Sequence, residues 1–550
     1  MRVRIGVALA LVLALAVALA LYRPPSVVPA SAPPGEFSAE RALRHLAVIA
    51  ASPHPTGSPR NAEVRGYLLE VLRGLDLAPR VQTAEVSASS RGRAVPGGAV
   101  HNVIATLEGA ARGPAVLLVA HYDSVKGSPG ASDDGAGVAA LLETARALRA
   151  GPSLARDVVF LLTDGEELGL VGAQAFADRE LDSIPVAVVV NIEARGSRGP
   201  SLMFETSEGN AGLIDDFVSA APYPFASSLS SEVYRRMPND TDFTVFRRRG
   251  IPGYNFAYID GLRHYHTPGD SIEHLDPRSL QHHGSHALAL SRRLGGSPSV
   301  LAKPGVDRDA IYFNVVGSVI AHYSSVWVWP LCVLSAALLA AALQWGVRRG
   351  RLRWRGVALG FASLLAGLFL AAAAAGLFWA AVRALDPDYT REWQTVIDLG
   401  GYRVAVTALA VLAAHRANVL ARRWARPAEI HGGILVGLAL LSIGSAAKVQ
   451  GASYLVVWPL FAGVLALVAM TAGPANEPPR PAESAVSTGR AVLLAATGAA
   501  SLMLFGPTLH TMFIAVTLEA GFVVAIVVGL LTALLFPQLT LIAGRRAPER

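Results

Sequence analysis

Ionisable side chains follow three apolar segments of the chain, each at the point where the segment ends. Uninterrupted apolar runs of this length are typical of strands buried on both faces of a parallel sheet. Because the carboxyl ends of parallel strands meet at one edge of a sheet, we expect these side chains to lie close together. They are His121 and Asp123, Glu166 and Glu167, and Glu193.

These residue types are suited to binding zinc and to activating water. Zinc prefers histidine nitrogens and carboxylate oxygens, and a zinc-bound histidine usually donates its second ring N–H to an acceptor, a role open to Asp123 beside His121. Adjacent residues point in different directions, so one of Glu166 and Glu167 can bind a metal while the other takes a proton from a metal-bound water. The spacing therefore indicates a hydrolytic metal site.

Two further segments supply candidate ligands. Asp133 and Asp134 lie in a glycine-flanked run, 130–137, at the entrance to a predicted helix. Small residues let the backbone approach closely, so one of these aspartates can lie between two metal ions; an N-cap on a tight turn is the alternative. His266 follows later, in the segment 265–270, although a lone histidine is more often structural.

The ordered segments resemble the motifs of the co-catalytic di-zinc aminopeptidases of metallopeptidase family twenty-eight. The resemblance covers roughly residues 38–295. The arrangement of one membrane span before this region and several after it is similar to the vacuolar and endoplasmic-reticulum membrane metalloproteases of that family. The matching segments are 121–123, 130–137, 165–169, 191–193 and 265–267.

The resemblance implies two zinc ions. His121 and Glu193 are expected to hold one ion. Glu167 and His266 are expected to hold the other, with Asp133 as the bridge. Many soluble members have aspartate where this chain has Glu193, whereas membrane members commonly have glutamate. The longer side chain leaves metal spacing and metal preference open, but it removes no ligand.

The same resemblance assigns three residues to catalysis. Glu166 is expected to be the general base, and Asp123 is expected to orient His121. Tyr265, directly before the late histidine, is expected to hydrogen-bond the oxyanion that develops during hydrolysis. The alternative for Tyr265 is an aromatic side chain packed beside the metals. The implied reaction is hydrolysis of a peptide bond.

Segments of helical and strand-like pattern alternate through the first half of the chain. This alternation predicts an α/β fold with a mostly parallel central sheet covered on both sides. The resemblance implies the three-layer zinc-exopeptidase form of that fold. The predicted helices are 38–49, 61–75, 137–149 and 169–179, and the predicted strands are 100–107, 116–120, 158–163 and 186–191.

The composition places part of the chain in lipid. Of the 550 residues, 52% are hydrophobic and 16% are charged, and residues 323–541 are mostly Ala, Leu, Val and Gly. Much of the net charge of +7 comes from short arginine clusters beside apolar runs, as membrane orientation requires, so nucleic-acid binding is not expected. The single cysteine, Cys332, lies in an apolar run and excludes an intrachain disulfide.

Eight apolar segments are predicted to span a membrane. The first, 5–22, follows Arg2 and Arg4 and covers about 27 Å of a hydrocarbon layer roughly 30 Å thick. A cleaved signal peptide is the alternative, and either one exports the region that follows. Counting all eight places the arginine-rich loops 346–355 and 415–431 in the cytoplasm, as the positive-inside pattern favours. The other spans are 326–345, 356–382, 399–416, 432–447, 453–472, 491–509 and 519–541, with Glu519 interpreted as a turn residue.

The chain is therefore predicted to have five regions. The expected protein is a multi-pass enzyme of a bacterial cytoplasmic membrane with its catalytic domain on the external side, or of a vacuolar or endoplasmic-reticulum membrane in a eukaryote. In the connector, residues 311–322 are expected to pack at the membrane surface. The regions are an N-terminal transmembrane anchor (1–22), an extended linker (23–37), a zinc peptidase domain (38–300), an interfacial connector (301–325) and a transmembrane region of about seven spans (326–550).

The expected function is that of a membrane-bound exopeptidase acting on peptides. Among exopeptidases, an aminopeptidase is the favoured interpretation. A carboxypeptidase or a glutaminyl cyclase-like enzyme of the same fold stays open, because recognition of the substrate's end depends on loops such as 197–260. A non-catalytic receptor is disfavoured because every ligand is present. A transport-associated protein is disfavoured because the spans show no repeat and few charges.

Overall fold

The structure is a computed structural model that describes residues 1–86, 95–296, 308–385, 400–472, 487–515 and 518–544. The chain divides into two units. We call them the α/β unit, which comprises Arg23–Asn314 and Ser318–Ser324, and the helical unit, which comprises Met1–Tyr22, Val315–Gly317 and Ser325–Arg550.

Helices and strands alternate through the α/β unit, whereas the helical unit consists mostly of long helices. The helices are α1 (Arg2–Ala20), α2 (Ala39–Ile49), α3 (Pro59–Gly74), α4 (Gly137–Arg149), α5 (Val171–Arg179), α6 (Ala211–Ala220), α7 (Ser228–Tyr234), α8 (Asp242–Arg248), α9 (Pro277–Gly295), α10 (Val328–Arg348), α11 (Trp354–Leu385), α12 (Gly400–Ala421), α13 (Pro427–Lys448), α14 (Tyr454–Thr471), α15 (Thr488–Ala515), α16 (Gly521–Leu534) and α17 (Phe536–Ala543). The strands are β1 (Arg80–Glu85), β2 (Ala99–Leu107), β3 (Ala115–His121), β4 (Val158–Thr163), β5 (Val186–Ala194), β6 (Leu202–Thr206), β7 (Gly253–Tyr258), β8 (Ala310–Val316) and β9 (Val319–Ser324).

A mixed seven-stranded sheet forms the centre of the α/β unit. Its strand order is β1-β2-β4-β3-β5-β7-β6. The four central strands β4, β3, β5 and β7 are parallel to one another. The pairs β1–β2, β2–β4 and β6–β7 are antiparallel. The four parallel strands confirm the predicted parallel centre of the sheet, and β1, β2 and β6 join it in antiparallel orientation.

Helices cover both faces of this sheet, so the unit has three layers. Along β3, Val116 and Leu118 belong to a core that also contains residues of α2, α4 and α9. The intervening Leu117 and Val119 belong to a second core with residues of α5 and α8. A strand that is buried on both faces must be apolar at every position, which accounts for the uninterrupted runs in the sequence.

Residues 310–324 form a two-stranded hairpin of β8 and β9. Ala310 and Tyr312 belong to the same core as α2, α4 and α9, and the Tyr312 hydroxyl lies 2.9 Å from Ser231 Oγ. This segment contains residues 311–322, which the sequence predicted to pack at the membrane surface. Part of the predicted connector, 301–307, lies outside the described residues.

The predicted linker is extended, but it is held against the α/β unit by arginines. Arg41 Nη1 donates to the carbonyl of Ala30 at 2.7 Å, and Arg146 Nη1 donates to the carbonyl of Pro34 at 2.7 Å. The buried Glu143 carboxylate accepts from Arg41 Nε at 2.8 Å and from Arg146 Nε at 2.6 Å. Arg292 also donates to a linker carbonyl, that of Gly35. We call residues 23–37 the strap.

The helical unit contains the candidate membrane spans. Within the described residues, α1 and α10–α15 are the seven helices long and apolar enough to cross a membrane. The pair α16 and α17 is bent by 58° and makes an eighth span only if the bent pair counts as one. Glu519 lies in the short turn Leu518–Ala520, as predicted. Most of loop 384–398 and residues 545–550 lie outside the described residues.

The strap should depend on Glu143. We expect Glu143→Ala to lower the free energy of unfolding of the α/β unit by about 2–3 kcal/mol, because two arginines lose their buried acceptor. In the purified full-length protein, the melting temperature should fall by about 5–10 °C, and proteolysis within residues 23–37 should become faster. Glu63→Ala, which removes an exposed ion pair with Arg60, is the control and should change neither measurement. Equal behaviour of the two variants would contradict this view of the strap.

Candidate active site

The residues predicted to bind metal meet at one edge of the sheet. Each is delivered by a different strand end or by the loop that follows it. His121 is the last residue of β3, Glu193 is the next-to-last residue of β5, and Glu167 follows β4. Asp133 lies in the wide helical turn Ala131–Ala136 before α4, and His266 follows the turn Leu262–His264 after β7.

Asp133 lies between the two histidines. Its Oδ1 is 3.2 Å from His121 Nε2, and its Oδ2 is 3.0 Å from His266 Nε2. Glu193 Oε2 is 3.7 Å from His121 Nε2, and Glu167 Oε1 is 3.2 Å from His266 Nε2. Two groups of three potential ligands therefore share the Asp133 carboxylate, and the ligand atoms in each group lie within 4.8 Å of one another.

Glu166 lies beside this pair of groups. It forms a third cluster of potential ligand atoms with His121 and Glu167. The structure thus brings together all five predicted ligands and the predicted base.

Asp123 joins two of the loops that carry the site. The Nδ1 atom of His121 is 2.9 Å from the main-chain oxygen of Asp123 and 3.5 Å from its Oδ1. With a proton on Nδ1 donated to that main-chain oxygen, Nε2 faces the ligand cluster. The Asp123 carboxylate accepts from the backbone N–H groups of Glu166 at 3.1 Å and Glu167 at 3.3 Å. Asp123 therefore orients both His121 and the two glutamates.

Asp134 serves the backbone. Its carboxylate accepts hydrogen bonds from the N–H of His121 at 3.3 Å and from the N–H of Gly137 at 3.2 Å. A Cβ at position 137 would lie 2.4 Å from the Asp134 carboxylate oxygens, so this close approach requires glycine. This role agrees with the absence of Asp134 from the predicted ligand set.

Sequence reasoning did not identify three residues that support the site, Asn255, Glu205 and Asp270. Asn255 on β7 accepts from Asn191 Nδ2 at 3.0 Å, and Asn191 Nδ2 also lies 3.4 Å from Glu193 Oε1. Asn255 Nδ2 in turn donates to Glu205 Oε2 at 3.0 Å. Asp270 accepts from the backbone N–H of Asp133 at 3.1 Å. The signal available in the sequence was an asparagine within the apolar run 253–258.

Tyr265 packs directly on a predicted ligand. Its ring stacks on the His266 ring, with centroids 3.8 Å apart and planes 19° apart. Burial raises the pKa of the Tyr265 phenol well above its ordinary value, and the charges of Asp133 and Glu167 raise it further. The phenol therefore keeps its proton at neutral pH and can act as a hydrogen-bond donor.

The site concentrates negative charge away from water. Burial raises the pKa of Glu166 well above its ordinary value. Burial and the Asp133 charge raise the pKa of Glu167 to about 7. Burial lowers the pKa of His266, but hydrogen bonds to Asp133 and Glu167 outweigh this effect and raise the pKa to about 10.

The donor set fits bound zinc. The carboxylates of Asp123, Asp133, Glu166, Glu167 and Glu193 face only two imidazoles, so the cluster would carry a net negative charge if every carboxylate were ionised, even with both imidazoles protonated. Buried charges of one sign require cations, and carboxylate with imidazole is a donor set that zinc prefers.

In the absence of metal, the free energy of unfolding of the α/β unit should fall as pH rises. The pKa values of Glu167, about 7, and His266, about 10, exceed the ordinary values of 4.5 and 6.5. The folded state therefore holds these protons more tightly than the unfolded chain, and the stability they contribute is lost as pH rises through the folded pKa values. Between about pH 6.5 and 8.5, the melting temperature of chelator-treated protein should decrease.

Bound zinc should oppose this loss of stability at higher pH, because the ligands bind metal in their deprotonated forms. The difference in melting temperature between zinc-loaded and chelated protein should therefore widen with pH. Glu167→Gln should flatten the slope of the chelated protein, whereas the exposed-pair variant Glu63→Gln should not. Parallel slopes with and without zinc would contradict a metal site.

Comparison with known proteins places the site in a family. Residues 102–291 match the sequence model of Peptidase family M28. Endoplasmic reticulum metallopeptidase 1 of Mus musculus is 32% identical over 316 residues, which cover 53% of this chain and 34% of that protein. The vacuolar membrane protease of Schizosaccharomyces pombe is 32% identical over 278 residues, which cover 48% of this chain and 32% of that protein. The chain thus spans about a third of the length of these relatives.

The solved structure of Porphyromonas gingivalis glutaminyl cyclase is 22% identical, with a TM-score of 0.39, and the match covers 46% of this chain and 97% of that one. The matched segment 102–291 contains the predicted metal ligands and base. Residues 102–291 therefore form a domain of peptidase family M28.

Proposed function

We propose that this protein is a membrane-bound, zinc-dependent exopeptidase, by preference an aminopeptidase, that hydrolyses peptide bonds with a metal-activated water. The observation that carries the proposal is the position of Asp133 between two groups, each with one histidine and one glutamate. A carboxylate that offers one oxygen to each group is suited to bridging two metal ions.

Two zinc ions are proposed, each with its own ligands. His121 and Glu193 would hold one ion, and Glu167 and His266 would hold the other. Asp133 would bridge them through its two oxygens, which face His121 and His266 respectively. Asp123 supports the first ion through the orientation of His121.

The chain's own residues would carry the proton transfers. Bound zinc supplies a Lewis acid that lowers the pKa of water and polarises the peptide carbonyl. Glu166, whose backbone N–H is held by Asp123 Oδ1 at 3.1 Å, would take the proton from that water and pass it to the leaving amine. Tyr265, fixed by stacking on His266, would donate a hydrogen bond to the developing oxyanion.

The choice among related activities rests on the sequence resemblance to aminopeptidases. The curated relatives are named as a metallopeptidase and a protease, which favours peptides as substrates. A carboxypeptidase or a glutaminyl cyclase-like enzyme would share the metal site and differ in the loops that bind the substrate. A receptor or a transport-associated protein would not require the base beside the ligands.

The protein is a multi-pass membrane protein, and we propose that its α/β unit lies outside the cytoplasm. Arg2 and Arg4 lie at the start of α1. Arginines beside a span favour the cytoplasmic side, so the region after α1 is exported. In a bacterium this places the site on the external side of the cytoplasmic membrane. In a eukaryote it places the site in a vacuole or in the lumen of the endoplasmic reticulum.

Glu166 provides the direct test of the chemistry. In the detergent-purified full-length protein, Glu166→Gln should retain about two zinc ions per chain. The same variant should lower kcat on aminoacyl and peptide substrates by roughly 10²- to 10⁴-fold, because the amide cannot take the proton. Metal content by elemental analysis and turnover would be measured on the same preparation.

Glu273→Gln is the matched control, because Glu273 is exposed and hydrogen-bonds Ser271. It should retain both zinc and turnover. If Glu166→Gln turns over as fast as the parent, Glu166 is not the base. If the parent protein binds no zinc, the ligand assignment is wrong.

Membrane orientation can be tested separately. With eight spans, both ends of the chain lie in the cytoplasm, so a reporter fused after Arg550 should give the cytoplasmic signal. A reporter inserted at 317–318, in the turn between β8 and β9, should give the external signal. An external signal from the C-terminal fusion would mean that the bent pair α16 and α17 does not cross the membrane.

A further inference from the structure

Strand β5 carries polar side chains in alternation towards its end. Asn191 and Glu193 lie on the same face of the strand, as shown by the 3.4 Å contact between Asn191 Nδ2 and Glu193 Oε1. Successive side chains of a strand alternate between faces, so the next residue on this face is Arg195. Arg195 follows the last residue of β5, and its backbone N–H donates to the carbonyl of Tyr258 at 3.1 Å. It therefore stands one step beyond Glu193, at the rim of the site.

The backbone around Arg195 is fixed to the loop that precedes His266. The N–H groups of Ser197 and Arg198 donate to the carbonyl of Asp260 at 2.8 Å and 3.0 Å. Ser197 Oγ also lies 2.8 Å from His264 Nδ1. A Cβ at Gly196 would lie 2.2 Å from the Asp260 oxygen, so the two segments meet with no room for a side chain. Arg195 is thus held beside the segment that carries Tyr265.

The Arg195 side chain is half-buried, and its guanidinium makes no hydrogen bond or ion pair with any residue that the structure describes. Other arginines near the core of the α/β unit pair with buried carboxylates, as Arg247 does with Glu205 at 3.1 Å and Arg293 with Asp216 at 2.9 Å. Arginines that lose part of their hydration usually gain an anionic partner.

The backbone geometry places the guanidinium near the metal site. Arg195 follows the predicted ligand Glu193 by two residues, and its N–H is hydrogen-bonded to Tyr258, at the start of the segment that leads to Tyr265 and His266. The carboxylates of the metal site would repel an anionic substrate. A cation at the rim offsets that repulsion for a substrate anion that extends past the metals.

We propose that Arg195 binds a carboxylate of the peptide substrate, so that the enzyme prefers short peptides with a free carboxylate close to the cleaved bond. The inference rests on the proposed peptidase function and adds a substrate class to it. The planar guanidinium matches a carboxylate with two parallel hydrogen bonds, which a lysine cannot reproduce. The carboxylate is either the C-terminus of a dipeptide or tripeptide or an acidic side chain next to the cleaved bond.

Paired substrates separate these sources. The full-length enzyme would be assayed on leucyl-alanine, on leucyl-alanine amide and on leucyl-aspartic acid α-amide, in which only the side-chain carboxylate is free. We expect the parent to prefer a substrate with a free carboxylate over leucyl-alanine amide. For the substrate with the preferred free carboxylate, Arg195→Ala should lower kcat/KM by roughly 10- to 100-fold, mainly by raising KM. For leucyl-alanine amide, the same variant should change kcat/KM by less than about twofold. Arg195→Lys should recover only part of the loss.

Arg198→Ala is the matched control, because Arg198 lies in the same loop and its side chain is exposed. It should change none of the three substrates. A loss confined to leucyl-alanine identifies the C-terminal carboxylate, and a loss confined to the aspartic acid α-amide identifies the side chain; both support the proposal. Equal losses on all substrates, or a parent without carboxylate preference, would overturn it. A parent that hydrolyses no peptide would instead overturn the proposed function.

Discussion

The structure depends on holding like charges together at one edge of a sheet. The Asp133 carboxylate lies within 3.2 Å of two histidine nitrogens, and glutamates flank both histidines. In each group of ligands the two carboxylate oxygens lie within 4.8 Å of each other. Carboxylates this close repel each other, so the backbone must hold them in place until cations bind. Hydrogen bonds to the backbone provide that support: Asp123 fixes the loop of the two glutamates, and Asp270 fixes the turn that contains Asp133.

The three-layer fold provides the rigid base for this arrangement. Four parallel central strands end at the same edge, and apolar packing on both faces fixes their relative register. In the pairing of β3 with β5, Val119 lies opposite Asn191. Two residues further along each strand, His121 comes beside Glu193. The metal ligands are therefore neighbours because of strand register, and any shift of one strand would separate them.

The sequence predicted most of the ligands, and the base, because these residues lie at the ends of apolar runs, which are visible as a local pattern. Strand ends such as the one before His121 are visible because a strand buried on both faces is apolar throughout. The support given by Asn255 and Glu205 was not predicted. Asn255 is distant in the chain from both Asn191 and Glu205, and the three residues meet only because β7 lies between β5 and β6 in the sheet. The strap was predicted only as a linker, because several of the contacts that hold it are also made by residues distant in the chain. Its composition is that of an extended chain, and two of the arginines that hold it, Arg146 and Arg292, come from the distant helices α4 and α9.

The glutamate at position 193 shows how the fold accommodates a longer ligand. Because Glu193 lies beside His121 across the sheet, a side chain one methylene longer than aspartate has to be turned to leave one oxygen facing His121. Asn191 lies 3.4 Å from Oε1 of Glu193, and Oε2 is the oxygen 3.7 Å from His121 Nε2. Asn191 is itself held by Asn255, so the glutamate's orientation is determined by its own strand and the neighbouring one. One face of β5 therefore presents a residue that positions the ligand and then the ligand itself, and the arginine proposed to bind substrate follows directly after the strand.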